Sequence, residues 1–253
     1  MMVAHDATRL LNMVFRPQSV LLALGLVAML ACGALAAAEF RFARLIYTDA
    51  PDYARFRGGW WQQDFPEAET HFSLNLRRLT RVDAGEPVAV RLTDDALFDY
   101  PWLYATQVGY WDLSDAEVAR LREYLLRGGF LMADDFWGES ERAVFQDTMK
   151  RVFPERPIVD ILPDDAVLHV VFSIDEFTQI PGLRHLGRRG IAQLPAPRWR
   201  GIYDDSGRLL VAMNHNQDVG DSWEEADNPA YPEPMTALGY RLGINYITYA
   251  MTH

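Results

Sequence analysis

The segment LREYLLRGGFLMADDFWGES, Leu121 to Ser140, decides the fold. Val118, Leu121 and Leu125 fall on one helical face. Just upstream, Ser114 and Glu117 have the spacing of a capping box, which satisfies open amides at a helix start. Gly128 and Gly129 end that helix, because glycine takes the left-handed C-terminal cap at little cost. Phe130 to Ala133 is an apolar run too short to alternate, as expected for a strand covered on both faces. Trp102 to Ala105 reads as an earlier strand. Strand, helix, glycine turn, strand is a βαβ crossover, so the two strands are expected to be parallel neighbours.

The same reading extends in both directions. EFRFARLIYTD, residues 39–49, predicts a buried strand ending at Thr48 and Asp49, stopped by Pro51. A helical pattern runs from Ala68 through Leu74, Leu76 and Leu79, followed by a short strand from Val88 to Leu92. Downstream, a helix is expected from Ser140 to Val152, a strand from Ile158 to Leu162, and a further apolar segment at 167–174. RGIYDDSGRLLVAMNHNQD reads as a β-hairpin, with Asp204 to Gly207 at its tip and Leu209 to Met213 as its second strand. GDSWEEADNPAYPEP reads as an acidic loop. An apolar helix from Met235 to Met251 closes the chain, with Gly239 and Gly243 leaving room for close packing. Residues 39–253 are therefore expected to form a single α/β domain with a mostly parallel sheet flanked by helices, a β-hairpin and a C-terminal helix.

Composition excludes several functions. A formal net charge of -11 opposes nucleic-acid binding, which needs a basic surface; Arg77, Arg78 and Arg81 read as a solvated helical face. Cys32 is the single cysteine, so no intramolecular disulfide, Cys-based zinc site or cysteine nucleophile is available to the body. Arg9 and Arg16 precede an uncharged stretch from Pro17 to Ala38 that includes Ala34-Leu35-Ala36. That order describes a secretory signal peptide. The stretch is also close to the roughly 20 residues that span a bilayer, so residues 1–38 equally describe a retained membrane anchor. MLAC at 29–32 resembles a lipobox with Cys32 as the acylated residue. Each reading exports the body to the outer, periplasmic side of the cytoplasmic membrane, attached there or secreted.

LREYLLRGGFLMADD, YPWLYATQVGYWDLSDAEVAR before it, DFPEAETHFSLNLRRLT at 64–80 and GINYITYAMT at the end together resemble the bacterial domain of unknown function 4159. The resemblance covers about residues 40–252. It implies a flavodoxin-like fold related to class I glutamine amidotransferase-like domains, common in envelope-associated proteins, with no established reaction. The wider fold places a nucleophilic Cys at a strand-to-helix elbow; here the corresponding stretch is YATQVGYW, with Thr106 and Gln107. Glutaminase chemistry is not expected.

In parallel sheets a ligand crevice forms outside the carboxyl ends of the strands. The candidate cleft residues are therefore Asp49, Thr106, Gln107, Asp134, Asp135, Trp137 and His215. Asp134 and Asp135 can hold a cation or serve acid–base chemistry, or cap a helix and bind loop amides. Adjacent strand residues point to opposite faces, so both converge on one ion only if the backbone turns. His215 lies in NHNQD, which serves equally as a polar hairpin exit; no second His stands at ligand spacing and no H-E-x-x-H occurs. There is no G-x-S-x-G, and RGGWW lacks dinucleotide-binding spacing, so no cofactor is implied. His71 and His169 read as packed or surface residues, while Trp60, Trp61 and Trp137 flank loops where an aromatic platform can bind ligand. The residues thus point to an exported, noncatalytic module that binds a small polar ligand or a cell-envelope protein. The alternative is a metal-assisted hydrolase acting on a carbohydrate or peptide through the strand-end aspartates.

Overall fold

Alternation along the central strands builds a core on each side of one sheet. The computed structural model describes residues 39–54, 58–186 and 194–253. Trp102 and Tyr104 of β3 (Trp102–Thr106) face one layer, and Leu103 and Ala105 face the other. Phe130 and Met132 of β4 (Phe130–Phe136) split from Leu131 and Ala133 in the same way. The first layer is covered by α1 (Glu67–Leu79), α4 (Val219–Glu224) and α5 (Glu233–Thr252), through Phe72, Trp223 and Tyr246 among others. The second is covered by α2 (Asp115–Leu126) and α3 (Gly138–Val152), through Leu121, Leu125, Phe145 and Met149. Burial on both faces is why these strands read as apolar runs.

The sheet is completed by β1 (Ala43–Ile46), β2 (Val88–Arg91), β5 (Val159–Asp160), β6 (Arg198–Tyr203) and β7 (Leu209–His215), in the order β2-β1-β3-β4-β7-β6-β5. β2, β1, β3, β4 and β7 are parallel, and β6 runs antiparallel to both of its neighbours. The expected crossover is present, with Trp102 through Thr106 in register with Phe130 through Asp134. Its helix opens with the capping box at Ser114 and Glu117. The hairpin β6–β7 forms as read. In α5, a Cβ on Gly243 would stand 2.6 Å from Phe72 and 2.8 Å from Trp223, so this glycine does permit close packing.

Four expectations are corrected. β4 does not stop at Ala133 but carries Asp134 and Asp135 inside the strand, with an irregularity in its pairing to β7 before Phe136. The acidic stretch beginning at Gly220 is not all loop: Val219–Glu224 is helical, because Trp223 buries its ring among Phe42, Phe72 and Tyr104. Ile158–Leu162 shrinks to the two-residue β5 at the sheet edge. The apolar segment at 167–174 holds no strand; a 3-10 turn, Ala166–Leu168, opens it, and His169 caps that turn. The signal or anchor reading of residues 1–38 falls outside the described residues. Among the described residues no helix is long and apolar enough to cross a membrane.

Candidate functional site: an acidic cleft at the strand tips

β4 and β7 deliver the two halves of the site. Asp134 stays on the α4 side, where its Oδ2 accepts from the Tyr104 hydroxyl at 2.8 Å and from the Gly220 amide at 2.9 Å. Asp135 has a left-handed backbone, φ 46°, which turns its side chain to a different set of partners. Its Oδ1 accepts from Trp137 Nε1 at 2.7 Å and Arg184 Nη2 at 2.8 Å, and its Oδ2 accepts from the Gln107 side-chain amide. The backbone turn that convergence demanded is present, yet the two carboxylates have no shared partner.

Asp135 lines a cleft of about 310 Å³ together with Asp64, Arg184, Asp218, Asp221 and Glu224. Asp64 precedes α1 in a segment held from below by Arg44. That buried guanidinium donates to Glu69 and to the carbonyls of Trp61 and Gln63 at 3.2 and 3.1 Å. Asp218 caps α4 by accepting from the Asp221 amide at 3.2 Å. Asp221 and Glu224 stand three residues apart on α4 and so share a face. Asp221 accepts from the Leu183 amide at 2.7 Å. Arg184 is the one basic residue lining this cleft among the described residues.

Burial and crowding raise every one of the shifted carboxyls here. Desolvation, opposed by Arg184, holds Asp135 at about 6. Desolvation, reinforced by Asp64, brings Asp221 to about 7 and Glu224 to about 8. Asp218 is pushed well above the ordinary range by burial and then by Asp135 and Asp221. Like charges held out of water disfavour joint ionisation, and an added cation relieves both penalties. Among the described residues, the non-glycine residues with left-handed backbone are Asp64, Gln107, Asp135 and Asn216. Two of them line the cleft and Gln107 braces Asp135. Such conformations persist where surrounding structure enforces them, and they gather at functional sites.

The residues expected at the cleft divide into groups. Gln107, Asp135 and Trp137 meet directly, and Asp134 sits behind them. Thr106 is buried, its carbonyl taken by the Tyr47 hydroxyl at 2.9 Å. Asp49 is turned toward the aromatic loop, accepting from the Trp60 amide at 3.1 Å. His215 approaches the Gly138 carbonyl through Nε2 at 2.8 Å and lines a separate cavity of about 430 Å³ with Glu139, Arg142, Arg198 and Arg200. Sequence reading missed Asp64, Arg184, Asp221 and Glu224. The spacing of Asp218, Asp221 and Glu224 was the one available signal, hidden because a six-residue helix carries too little periodicity to recognise.

Parallel strands in the order β2-β1-β3-β4-β7 match the 2-1-3-4-5 order of flavodoxin-like sheets, whose ligands sit at the carboxyl ends of the strands. The chain is therefore a doubly wound α/β protein of flavodoxin-like architecture with an acidic cleft at its strand tips. A family model described as a domain of unknown function, DUF4159, matches residues 41–251, and the chain belongs to that family. A comparison with curated proteins gives no match.

Proposed function

We propose that this chain is an exported, membrane-associated, noncatalytic binding module whose strand-tip cleft receives the cationic part of a small polar ligand or of a cell-envelope partner. One observation carries the reading: Asp64, Asp135, Asp218, Asp221 and Glu224 share a cleft with a single guanidinium. A site that crowds five carboxylates, two of them buried and three half-buried, gains most from positive charge. Export rests on the basic-then-apolar order of residues 1–38.

The noncatalytic part rests on the elbow after β3. Gln107 has φ 53°, is 1% exposed, and commits its amide to Asp135. A carboxamide stands where the amidotransferase-like relationship implied by the resemblance has a Cys, and a carboxamide is no nucleophile. The hydrolase alternative draws on Asp135 rather than on a pair, since Asp134 is engaged with Tyr104 and Gly220.

Thermal unfolding with spermidine as the cationic probe tests the reading at pH 7.5 and low ionic strength. Binding to the native state raises the melting temperature by linkage, about 2.7 kcal/mol at a hundredfold excess over Kd. A rise that fades in 0.5 M salt and in Asp135→Asn is the expected result (the salt value chosen to shorten the screening length to a few ångströms, roughly 3 Å at 1 M). No rise with spermidine overturns it.

A further inference from the structure

β6 and β7 build a second charged cavity beside the start of α3. Arg198 pairs directly with His215 across the antiparallel strands, so their side chains share one face of the sheet. Arg200, two residues on, belongs to the same face. From α3, Glu139 and Arg142 stand one turn apart and complete the charged lining of this cavity of about 430 Å³. Asn216, left-handed with φ 60°, braces its wall. Its Oδ1 accepts from the Gly138 amide and its Nδ2 donates to the Ala196 carbonyl, both at 2.8 Å.

The lining thus brings three guanidiniums and one carboxylate together, in a chain whose formal net charge is -11. Glu139 pairs with Arg142, and Arg200 is held by Asp160 at 2.6 Å. Arg198 is exposed and makes no hydrogen bond or ion pair among the described residues.

His215 adds a different demand. It is 2% exposed. Its Nε2 stands 2.8 Å from the Gly138 carbonyl, which can only accept, so Nε2 carries the ring hydrogen. Burial, assisted by Arg142 and Arg200 against Gly138 and Glu139, lowers its pKa and keeps the ring neutral. Nδ1 is then a bare lone pair, buried with no partner among the described residues. A buried acceptor without a donor is costly.

We propose that this cavity binds a phosphate group that still carries a hydroxyl, such as inorganic hydrogen phosphate or a protonated phosphomonoester. The anionic oxygens answer the guanidiniums, whose paired N–H donors match phosphate geometry. The P–OH supplies the hydrogen that His215 Nδ1 lacks. Acetate and sulfate are fully ionised at neutral pH and bring no such hydrogen. The site lies apart from the acidic cleft, and the two readings stand or fall separately.

Calorimetric titration of the full chain with phosphate and with sulfate, at neutral pH and matched ionic strength, tests the proposal. One phosphate per chain is expected, with sulfate at least fivefold weaker. Arg198→Gln and Arg142→Gln should each weaken phosphate binding at least fivefold, and His215→Phe should erase the preference over sulfate. Arg127→Gln, an exposed pair to Glu123 at the end of α2, should change nothing. Circular dichroism verifies folding, and the exposed position of Arg198 keeps that variant decisive. Vesicles of phosphatidylcholine with and without phosphatidic acid distinguish the sources: recruitment that Arg198→Gln abolishes assigns a lipid headgroup, and phosphate binding without recruitment assigns a soluble ligand. Binding of neither phosphate nor these vesicles, wild-type affinity in folded Arg198→Gln, or sulfate bound as tightly as phosphate overturns the proposal.

Discussion

Tyr104 donates its hydroxyl hydrogen to Asp134 Oδ2 at 2.8 Å, across neighbouring parallel strands, and both residues are almost wholly buried. The same oxygen takes the Gly220 amide at the start of α4. One carboxyl therefore ties β3, β4 and α4 together directly beneath the cleft. Removing the hydroxyl in Tyr104→Phe should destabilise the fold by roughly 0.5–1.5 kcal/mol, the net worth of one hydrogen bond, because the Gly220 amide still serves the same oxygen. Urea denaturation measures it, and an unchanged midpoint would refute the tie.

Asp134 also makes stability depend on pH. Burial, working against the Gly220 and Tyr104 donors, raises its carboxyl from 3.8 to about 7. The folded state thus holds a proton that the unfolded state releases more easily. The stabilising contribution is complete below about pH 4 and is lost as pH rises through about 7, in total roughly 4 kcal/mol. Urea midpoints should fall between pH 5 and pH 8, with a shallower fall in Asp134→Asn. A flat profile would contradict the burial argument.

Arg44 and Glu69 form a fully buried ion pair, with the guanidinium carbon 4.7 Å from the Tyr104 ring centroid. Breaking such a pair by removing one partner leaves a stranded charge and costs about 3–5 kcal/mol. Arg44→Met should also loosen the carbonyls of Trp61 and Gln63, and with them Asp64. The double variant Arg44→Met/Glu69→Leu should be less destabilised than either single change. Denaturation of the four proteins as a cycle checks this; additive losses would show that the pair is not coupled.

Gly182→Ala would force a Cβ against Asp218 Oδ2 and Asp221 Oδ2. Overpacking against buried groups costs about 1–3 kcal/mol. The variant should lose cation binding while keeping its secondary structure, measured by spermidine-dependent melting and circular dichroism. Retained binding would mean that the cleft floor does not contact the ligand.

Arg184→Gln removes the guanidinium that neutralises Asp135. Spermidine should bind at least a few-fold more tightly at low salt, because a repelling charge is gone and a carboxylate is freed. Calorimetric titration of wild type and variant reads the difference directly. Weaker binding would instead assign Arg184 a role in contacting the ligand.

Local chemistry made much of this molecule legible in advance. The capping box at Ser114 and Glu117, the Gly128-Gly129 turn and the apolar runs of β3 and β4 are short-range signals, and each predicted its element. Charged residues misled where burial depended on distant donors. Asp134 and Asp135 read as the end of a strand because carboxylates are costly to bury. They continue it because Tyr104 and Gly220 arrive to donate to Asp134 Oδ2, and Gln107 and Arg184 to donate to Asp135.

The sequence by itself determined the alternation of strands and helices, the parallel crossover and the edge of the sheet at which the parallel strands end, since periodicity, caps and turns act over a few residues. Only the tertiary structure decided which side chains share that edge. Asp64 approaches Asp221 and Glu224 because Arg44 fixes one loop and Trp223 buries one side of a six-residue helix. Convergence of residues so far apart in the chain leaves no local pattern to read.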